Sequence, residues 1–380
     1  MPLIGRVAQG VPRVIDLRLE TWAALLVDHS IELRAGQTVA ITGGVAAEPL
    51  LRAIYAAVIA RGGFPVMLPV FSGLSVALLE GGTDAQLVAV SPVERFVRAE
   101  ADALITVMAE TDTRAMATVD PARQAIFQRA RGPLMQTFMQ RTADETLRWV
   151  GTLYPTDAYA QDAGLPTDEF ADILIQASKL DLPDPAAAWK AQAGEQQRLI
   201  DWLGGKREIR LRGRDTDLTL SVEGRTWINS HGLRNLPDGE IFTGPVEDSV
   251  DGDVRFSFPV VTAGREIDDV RLRFHGGRVV EASAARNEPY LIQMLDADPG
   301  ARMLGEFAFG TNFGLTRFTK NILFDEKIGG TVHMAVGAGY PMTGSVNRSS
   351  VHWDLICDLR EGGGVDVDGQ PFLRDGRFVV

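Results

Sequence analysis

The chain has little cysteine, no long apolar run and more acidic than basic residues. Its single cysteine, Cys357, excludes an internal disulfide and is typical of a reducing cytoplasm. No stretch approaches the about 18 consecutive apolar residues that a membrane-spanning helix needs. The amino-terminal residues lack the apolar core of a secretory signal before Pro12 and Arg13. These absences predict a cytoplasmic protein with no membrane partner.

The formal net charge of −12 also argues against nucleic acid as a partner, because a phosphate backbone requires a basic face. Hydrophobic residues make up 45% of the chain and charged residues 23%, which is ordinary composition for a globular protein. A length of 380 residues exceeds what one ordinary core holds and favours two domains.

The first part of the chain alternates between helix-like and strand-like segments. The spacing of apolar residues predicts helices over Asp16–Asp28 and Ala46–Ala60. Short β-rich segments predict strands at Gln37–Thr42, Phe64–Val70 and Ala101–Met108. Strands that alternate with helices at this spacing indicate a parallel sheet with crossover helices.

The pattern of the sequence changes near residue 205. A long helix is predicted to begin near Pro185 and to end at Gly204. Beyond it, Arg207–Arg212 and Asp217–Val222 alternate like the two strands of a hairpin, and glycine becomes frequent. The predicted fold class is α/β, with an N-terminal parallel-sheet α/β domain over residues 1–204. A C-terminal β-rich α+β catalytic domain is predicted over residues 205–380.

The segment Val351–Cys357 places a histidine and an aspartate two positions apart. In a strand, alternate side chains share a face, so His352 and Asp354 project together, whereas a helix would separate them. An imidazole and a carboxylate side by side form a two-point chelate for a divalent metal ion. This pair favours a metal-dependent hydrolase.

Four further residues complete the candidate set. His333 lies in a strand-like segment whose neighbours on the same face are small, and Glu306 lies in another such segment. Glu240 lies where a loop enters a short strand. Tyr340 follows a glycine turn that could carry its phenol toward His333. Oxygen and nitrogen donors of this kind suit zinc, cobalt or manganese.

The segments that contain these residues resemble one family. They are NLPDGEIFTGP, LGEFAFGTN, LFDEKIGGTVHMAVGAGYP and NRSSVHWDLICDL. Together with the amino-terminal VIDLRLETWAALLVDHSIELRAGQTVAI, they resemble the aminopeptidase T and aminopeptidase S group, the thermophilic aminopeptidase family of dinuclear metallopeptidases. The resemblance runs over almost the whole chain. The stretch between Tyr340 and His352 is shorter than in the longer family members, which affects the substrate pocket more than the ligands.

The resemblance implies a site, an activity and an assembly. It implies that the metal ligands are Glu240, Glu306, His333, His352 and Asp354. It also implies that Tyr340 lies at or near the metals. The implied enzyme is a metalloaminopeptidase that removes N-terminal residues from peptides by a metal-activated hydroxide at a dinuclear site. Its cofactors would be two divalent metal ions, its substrate a peptide with a free amino terminus, and its assembly a homodimer.

The charge of the ligand set fits this activity. Three carboxylates and two neutral imidazoles carry three negative charges, which two divalent ions and a bridging hydroxide neutralise. Two such ions about 3.5–4 Å apart generate hydroxide near neutral pH and polarise the scissile carbonyl. Glu306 is the predicted bridging ligand, and Glu306 and Tyr340 are the predicted catalytic residues.

Two other functions remain open from the sequence. His333, His352 and Asp354 alone form the ligand triad of a mononuclear non-haem iron ring-cleaving dioxygenase. Glu240 and Glu306 argue against it, because two further carboxylates would over-charge a single iron. The second alternative is a dimeric scaffold with a relic site, which buried and unpaired carboxylates make costly. Metal content per chain distinguishes the three hypotheses.

Overall fold

The structure is a computed structural model that describes residues 18–262 and 265–380. Of the helix predicted to begin at Asp16, Asp16 and Leu17 lie outside the described residues. The described helices are α1 (Leu19–Leu25), α2 (Glu48–Ala60), α3 (Leu74–Gly81), α4 (Asp84–Val88), α5 (Pro92–Ala99), α6 (Pro121–Ala143), α7 (Asp157–Ala163), α8 (Thr167–Ala177), α9 (Pro185–Leu203), α10 (Glu288–Leu295) and α11 (Ile322–Asp325). A search of these helices finds none long and apolar enough to cross a membrane.

The described strands form one parallel sheet, two antiparallel sheets and a short separate hairpin. They are β1 (Thr38–Gly44), β2 (Phe64–Val70), β3 (Ala103–Met108), β4 (Arg148–Leu153), β5 (Glu208–Gly213), β6 (Thr216–Ser221), β7 (Ile228–Ser230), β8 (Asn235–Leu236), β9 (Glu240–Thr243), β10 (Asp251–Phe256), β11 (Val260–Thr262), β12 (Arg265–Ile267), β13 (Val270–His275), β14 (Arg278–Ser283), β15 (Leu304–Gly310), β16 (Val332–Gly337), β17 (His352–Cys357), β18 (Gly364–Val367), β19 (Gln370–Arg374) and β20 (Arg377–Phe378).

The first sheet has the strand order β2-β1-β3-β4-β8, and each neighbouring pair is parallel. Its central strands are buried apolar runs, as expected where helices cover a parallel sheet. Helix α2 crosses over between β1 and β2, starts with Pro49 in its first turn and buries Leu50, Ile54 and Val58. The predicted parallel-sheet α/β region is therefore confirmed.

The last strand of the first sheet comes from the other side of the predicted boundary at residue 204. Strand β8 pairs with β4, and the Thr152 hydroxyl donates a hydrogen bond of 2.7 Å to the Leu236 carbonyl oxygen. Helix α9 adds a second connection, because the Gln196 amide donates to the Ser230 carbonyl at 2.8 Å and to the Glu240 carbonyl at 2.6 Å. The chain just before Glu240 is thus attached to both parts of the molecule.

The C-terminal part is β-rich, as predicted, and contains two antiparallel sheets. The outer sheet has the order β14-β13-β10-β6-β5-β18-β19-β20, and the site sheet has the order β17-β16-β15-β9-β7. One face of the site sheet packs against the outer sheet: Phe307, Met334 and Leu355 are fully buried there, and the Phe309 and Phe372 ring centroids lie 5.0 Å apart. Because side chains alternate along each strand, the opposite face carries a different set of residues.

Candidate metal centre

The strand register of the site sheet brings distant residues into two adjacent rows. Glu306 on β15 pairs with Ala335 on β16, which pairs with Asp354 on β17. In the next row, Ala308 pairs with His333. Alanine side chains between the donors leave room above the sheet for an ion.

His352 begins strand β17 and is oriented by the backbone. Its Nδ1 donates a hydrogen bond of 2.8 Å to the Ala338 carbonyl oxygen. The other ring nitrogen, Nε2, then points at carboxylates, 3.3 Å from Glu306 Oε2 and 3.7 Å from Asp354 Oδ2. A backbone hydrogen bond to one ring nitrogen is the usual way in which a metal-ligating histidine is held.

Glu240 and His333 meet on the other side of Glu306. His333 Nε2 lies 3.1 Å from Glu240 Oε2 and 3.7 Å from Glu306 Oε1. All three side chains are buried. Glu240 Oε2 and His333 Nδ1 have no hydrogen-bond partner among the described residues, and buried polar atoms without a partner are costly unless a ligand satisfies them.

The loop before Glu240 is rigidly built. The Asp238 carboxylate is fully buried and accepts hydrogen bonds from the Ser230 hydroxyl at 3.0 Å and the Gly232 amide at 2.8 Å. Gly239 has a φ of +121°, and a Cβ there would lie 2.8 Å from the Asn312 Cβ. The position therefore requires glycine, and the backbone at Glu240 has little freedom.

The potential ligand atoms form overlapping groups, each with its atoms within 4.8 Å of one another. The Glu240 cluster consists of Glu240, Glu306 and His333, and the His352 cluster consists of Glu306, His352 and Asp354. Glu306 belongs to both clusters. A third group joins Glu326, His333 and Asp354. In the part of the chain that is described, no group contains both His333 and His352.

Tyr340 lies at the edge of these clusters. Its ring packs edge to face on His352, with centroids 5.1 Å apart, and lies 5.4 Å from the Phe242 ring. Its described ring contacts are thus with His352 and Phe242, not with His333. Burial and the surrounding carboxylates raise the pKa of the phenol above 10, so Tyr340 remains protonated.

Sequence reasoning missed two buried charged residues beside the clusters, Glu326 and Lys327. They lie between α11 and β16, and Lys327 is 1% exposed. The Lys327 ammonium lies 2.6 Å from Glu240 Oε1 and also contacts Glu326 Oε1. The signal that points to them is the run Asp325-Glu326-Lys327 inside an otherwise apolar and glycine-rich segment.

The electrostatics of the site favour bound cations. Four carboxylates, those of Glu240, Glu306, Glu326 and Asp354, share a buried space with one permanent cation, the ammonium of Lys327. Burial raises the pKa of Asp354, and it raises that of Glu326 to about 8.

The imidazoles respond to the same negative charge. Burial lowers the pKa of His333, but Glu240 and Glu306 outweigh burial and raise it well above 6.5. At His352, Glu306 and Asp354 likewise outweigh burial and raise the pKa to about 9. The clusters therefore attract protons where divalent ions could sit, and their oxygen and nitrogen donors suit such ions.

The fold and the site together are those of a metal-dependent enzyme. The site is a buried set of carboxylates and imidazoles on one face of a β-sheet, and the chain also has a parallel α/β region. The chain matches the thermophilic metalloprotease (M29) family over residues 15–378 and belongs to that family. The family predicted from the sequence is thereby confirmed. So is the predicted enzyme class, a metalloaminopeptidase acting on peptide bonds.

Individual relatives agree with this membership. Aminopeptidase T from Thermus aquaticus is 31% identical over 71% of this chain and 74% of its own length. Aminopeptidase 2 from Geobacillus stearothermophilus is 27% identical over 96% of this chain and 98% of its own length. The structure of wild-type AmpT from Thermus thermophilus has a TM-score of 0.83 and 25% identity, with 95% of this chain and 99% of that chain covered.

A second solved structure shares the fold alone. It is 2,5-dihydroxypyridine dioxygenase from Pseudomonas putida, with a TM-score of 0.53 and 14% identity over 95% of this chain and 97% of that chain. Function is decided by the site and not by the fold. This likeness therefore does not assign dioxygenase chemistry to the chain.

Proposed function

We propose that the protein removes N-terminal residues from peptides at a dinuclear metal site on the site sheet. The ligands would be the members of the Glu240 cluster and the His352 cluster, with Tyr340 beside them. The observation that carries this proposal is the position of Glu306, which belongs to both clusters. A carboxylate shared in this way is suited to bridge two ions.

The charge of the whole site supports a pair of divalent ions. The structure adds two charged groups to the site predicted from the sequence, the carboxylate of Glu326 and the ammonium of Lys327. When Glu326 is ionised these two charges cancel, and two divalent ions and one hydroxide then neutralise the site. When bound, such ions activate water and polarise the scissile carbonyl. Zinc, cobalt and manganese all accept these donors.

Three residues of the chain, Glu306, Tyr340 and Glu326, would have further roles in the reaction. Glu306 holds the two clusters at a fixed separation. Tyr340 keeps its proton because its pKa is raised, so its hydroxyl can donate a hydrogen bond to the oxyanion that forms during peptide hydrolysis. Glu326 has a pKa of about 8 and can hold a proton near neutral pH, as transfer to a leaving amine requires.

The substrate is proposed to be a peptide with a free amino terminus. A free amino group can bind a metal ion or pair with a carboxylate of the site, and relatives of this chain are aminopeptidases by name. We also propose a cytoplasmic homodimer, from the family resemblance and from the single buried cysteine. Sedimentation of the purified protein tests the dimer, and cell fractionation tests the compartment.

Metal content per chain is the decisive measurement. Two divalent ions per active chain support the proposal, whereas one iron with oxygen-dependent ring cleavage would favour the dioxygenase, and no metal the scaffold. Geometry disfavours the single-iron site, because a single ion bound by His333, His352 and Asp354 needs both histidines in one cluster. In the described ranges, the two histidines never share a group, although Glu306 and Asp354 each group with both of them.

A further inference from the structure

The ammonium of Lys327 occupies a fixed position at the edge of the Glu240 cluster. Its side chain is 2% exposed. The backbone of the residue is held on both sides, because its amide donates to the Phe324 carbonyl at 2.9 Å and its carbonyl accepts from the Asn312 amide at 3.0 Å. A flexible lysine stem anchored in this way can deliver its charge to only a small region.

Lys327 divides the two oxygens of Glu240 between different tasks. Oε1 accepts a hydrogen bond of 2.6 Å from the Lys327 ammonium. Oε2 has no hydrogen-bond partner among the described residues and lies 3.1 Å from His333 Nε2. One oxygen is therefore bound to a permanent cation, while the other faces the imidazole of His333, a second potential ligand of the same ion.

We infer that Lys327 is a positioning residue that makes Glu240 a one-oxygen ligand of the ion in the Glu240 cluster. The inference rests on the proposed dinuclear function. With Lys327 present, Glu240 cannot rotate to offer both oxygens to one ion, and its charge is partly neutralised. Contacts of this kind around a ligand orient it and tune its affinity for the metal. The Lys327 ammonium has no described direct contact with the His352 cluster and is linked to it through Glu326, so that cluster should be affected far less.

A structural role makes a different prediction. If Lys327 only neutralised buried carboxylates, its removal would lower the stability of the whole site and would weaken both ions alike. A positioning role instead predicts an effect confined to one ion. Separate affinities for the two ions thus distinguish the alternatives, whereas activity alone does not.

The test is a titration of ion-free protein with Co²⁺, in which calorimetry and the visible absorption of bound cobalt record binding. The variants are Lys327→Met, which keeps the length of the side chain but removes the charge, and Glu240→Gln, which reports loss at the Glu240 cluster. Lys320→Met is the matched control, because Lys320 pairs with Glu266 at 3.0 Å outside the clusters.

We expect wild type and Lys320→Met to bind two cobalt ions equally well. Lys327→Met should bind one ion normally and the other about 10–100-fold more weakly. The spectrum of its remaining tight ion should match that of Glu240→Gln. Two ions bound as in wild type, or both weakened to the same extent, would overturn the inference.

If Lys327→Met does not fold, Lys327→Arg decides, because guanidinium keeps the charge but displaces the donors. Weakening of one ion in that variant supports the inference, and unchanged binding of both overturns it. If wild-type protein binds fewer than two cobalt ions, the proposed dinuclear site is contradicted. If wild type binds two ions and the Lys327 variants bind them equally well, only the inference about Lys327 is contradicted.

Discussion

His352 and Asp354 project from neighbouring positions on one face of strand β17. Both approach Glu306, and neither belongs to the core between the sheets. We predict that His352→Ala and Asp354→Ala each lower kcat/KM for peptide hydrolysis by at least about 100-fold, because each removes a proposed metal ligand. The thermal unfolding curve should stay close to that of wild type. Kinetics on an aminoacyl amide, together with circular dichroism, measure both effects.

The chain contains a matched control for this prediction. His275 pairs with Asp251 at 2.9 Å, but its side chain is 84% exposed and belongs to no ligand cluster. His275→Ala should therefore leave peptide hydrolysis unchanged. Activity within severalfold of wild type in the folded His352 and Asp354 variants would contradict the assignment of the site.

The raised pKa values of the imidazoles predict a pH-dependent metal affinity. Without ions, His352 has a pKa of about 9 and His333 one well above 6.5, so both hold a proton at pH 7. Ligation requires neutral imidazole, so binding must release these protons, and affinity should rise as pH increases toward about 9. Calorimetric titration at pH 7 in two buffers with different ionisation enthalpies measures the number released. Binding without proton release would show that the histidines are not ligands.

Strand alternation predicts that His352 and Asp354 lie together, whereas the full set of donors came from the resemblance to the family. Glu306 and His333 each occupy a strand whose same-face neighbours are small, and this pattern is visible in the sequence. Glu326 and Lys327 could not be found in this way, because they lie in a connection with no periodicity. Their burial depends on contacts with Glu240, which is distant in sequence.

At the scale of elements, two carboxylates attach the loop that leads from Tyr340 to strand β17. Glu247 accepts a hydrogen bond of 2.7 Å from the Val346 amide. Asp298 accepts hydrogen bonds from the Ser350 amide at 2.7 Å and from the Ser349 hydroxyl at 2.9 Å. Since this loop ends at His352, its anchors help to set the position of a proposed ligand.

Asp298→Asn should therefore destabilise the protein modestly at neutral pH. The hydrogen bonds from Ser350 and Ser349 lower the pKa of Asp298 to about 2 from 3.8. A lowered folded-state pKa stabilises the fold above pH 3.8, and this contribution is lost as pH falls through about 2. After allowance for solvent screening we expect a loss of about 1 kcal/mol at pH 7. Urea unfolding at pH 7 and pH 3 measures it; a difference that grows at pH 3 would contradict the argument.

Most elements with a regular spacing of apolar residues were predicted, and so was the short strand that begins at Glu240, but strand β8 was not. The structure has the second strand at the predicted residues, Phe64–Val70, and α9 over Pro185–Leu203. Strand β8 has two residues, Asn235 and Leu236, and so carries no alternation that a sequence could reveal. Its pairing with β4 is decided by tertiary contacts. The domain boundary at residue 204 stays a prediction.

At the scale of the whole molecule, negative charge is concentrated where the substrate is proposed to bind. The chain has a formal net charge of −12, and the buried clusters hold more carboxylates than cations. Bound divalent ions would neutralise most of this local charge. An ammonium group at the end of a peptide would still be attracted by the net negative charge of the whole chain, although salt screens that attraction at distances beyond about 10 Å.

The substrate class follows from this charge and from the family. A dipeptide amide with a free amino terminus should be cleaved, and the same compound with an acetylated amino terminus should not. Acetylation removes the positive charge of the amine and its ability to bind a metal or pair with a carboxylate. A chelator should stop turnover, and added Zn²⁺, Co²⁺ or Mn²⁺ should restore it. Chromatography of the released N-terminal residue measures cleavage of the free and of the acetylated compound.

Equal cleavage of the two compounds would indicate an endopeptidase or amidase. Cleavage of neither compound, together with oxygen uptake when a dihydroxylated aromatic ring is supplied, would favour iron chemistry.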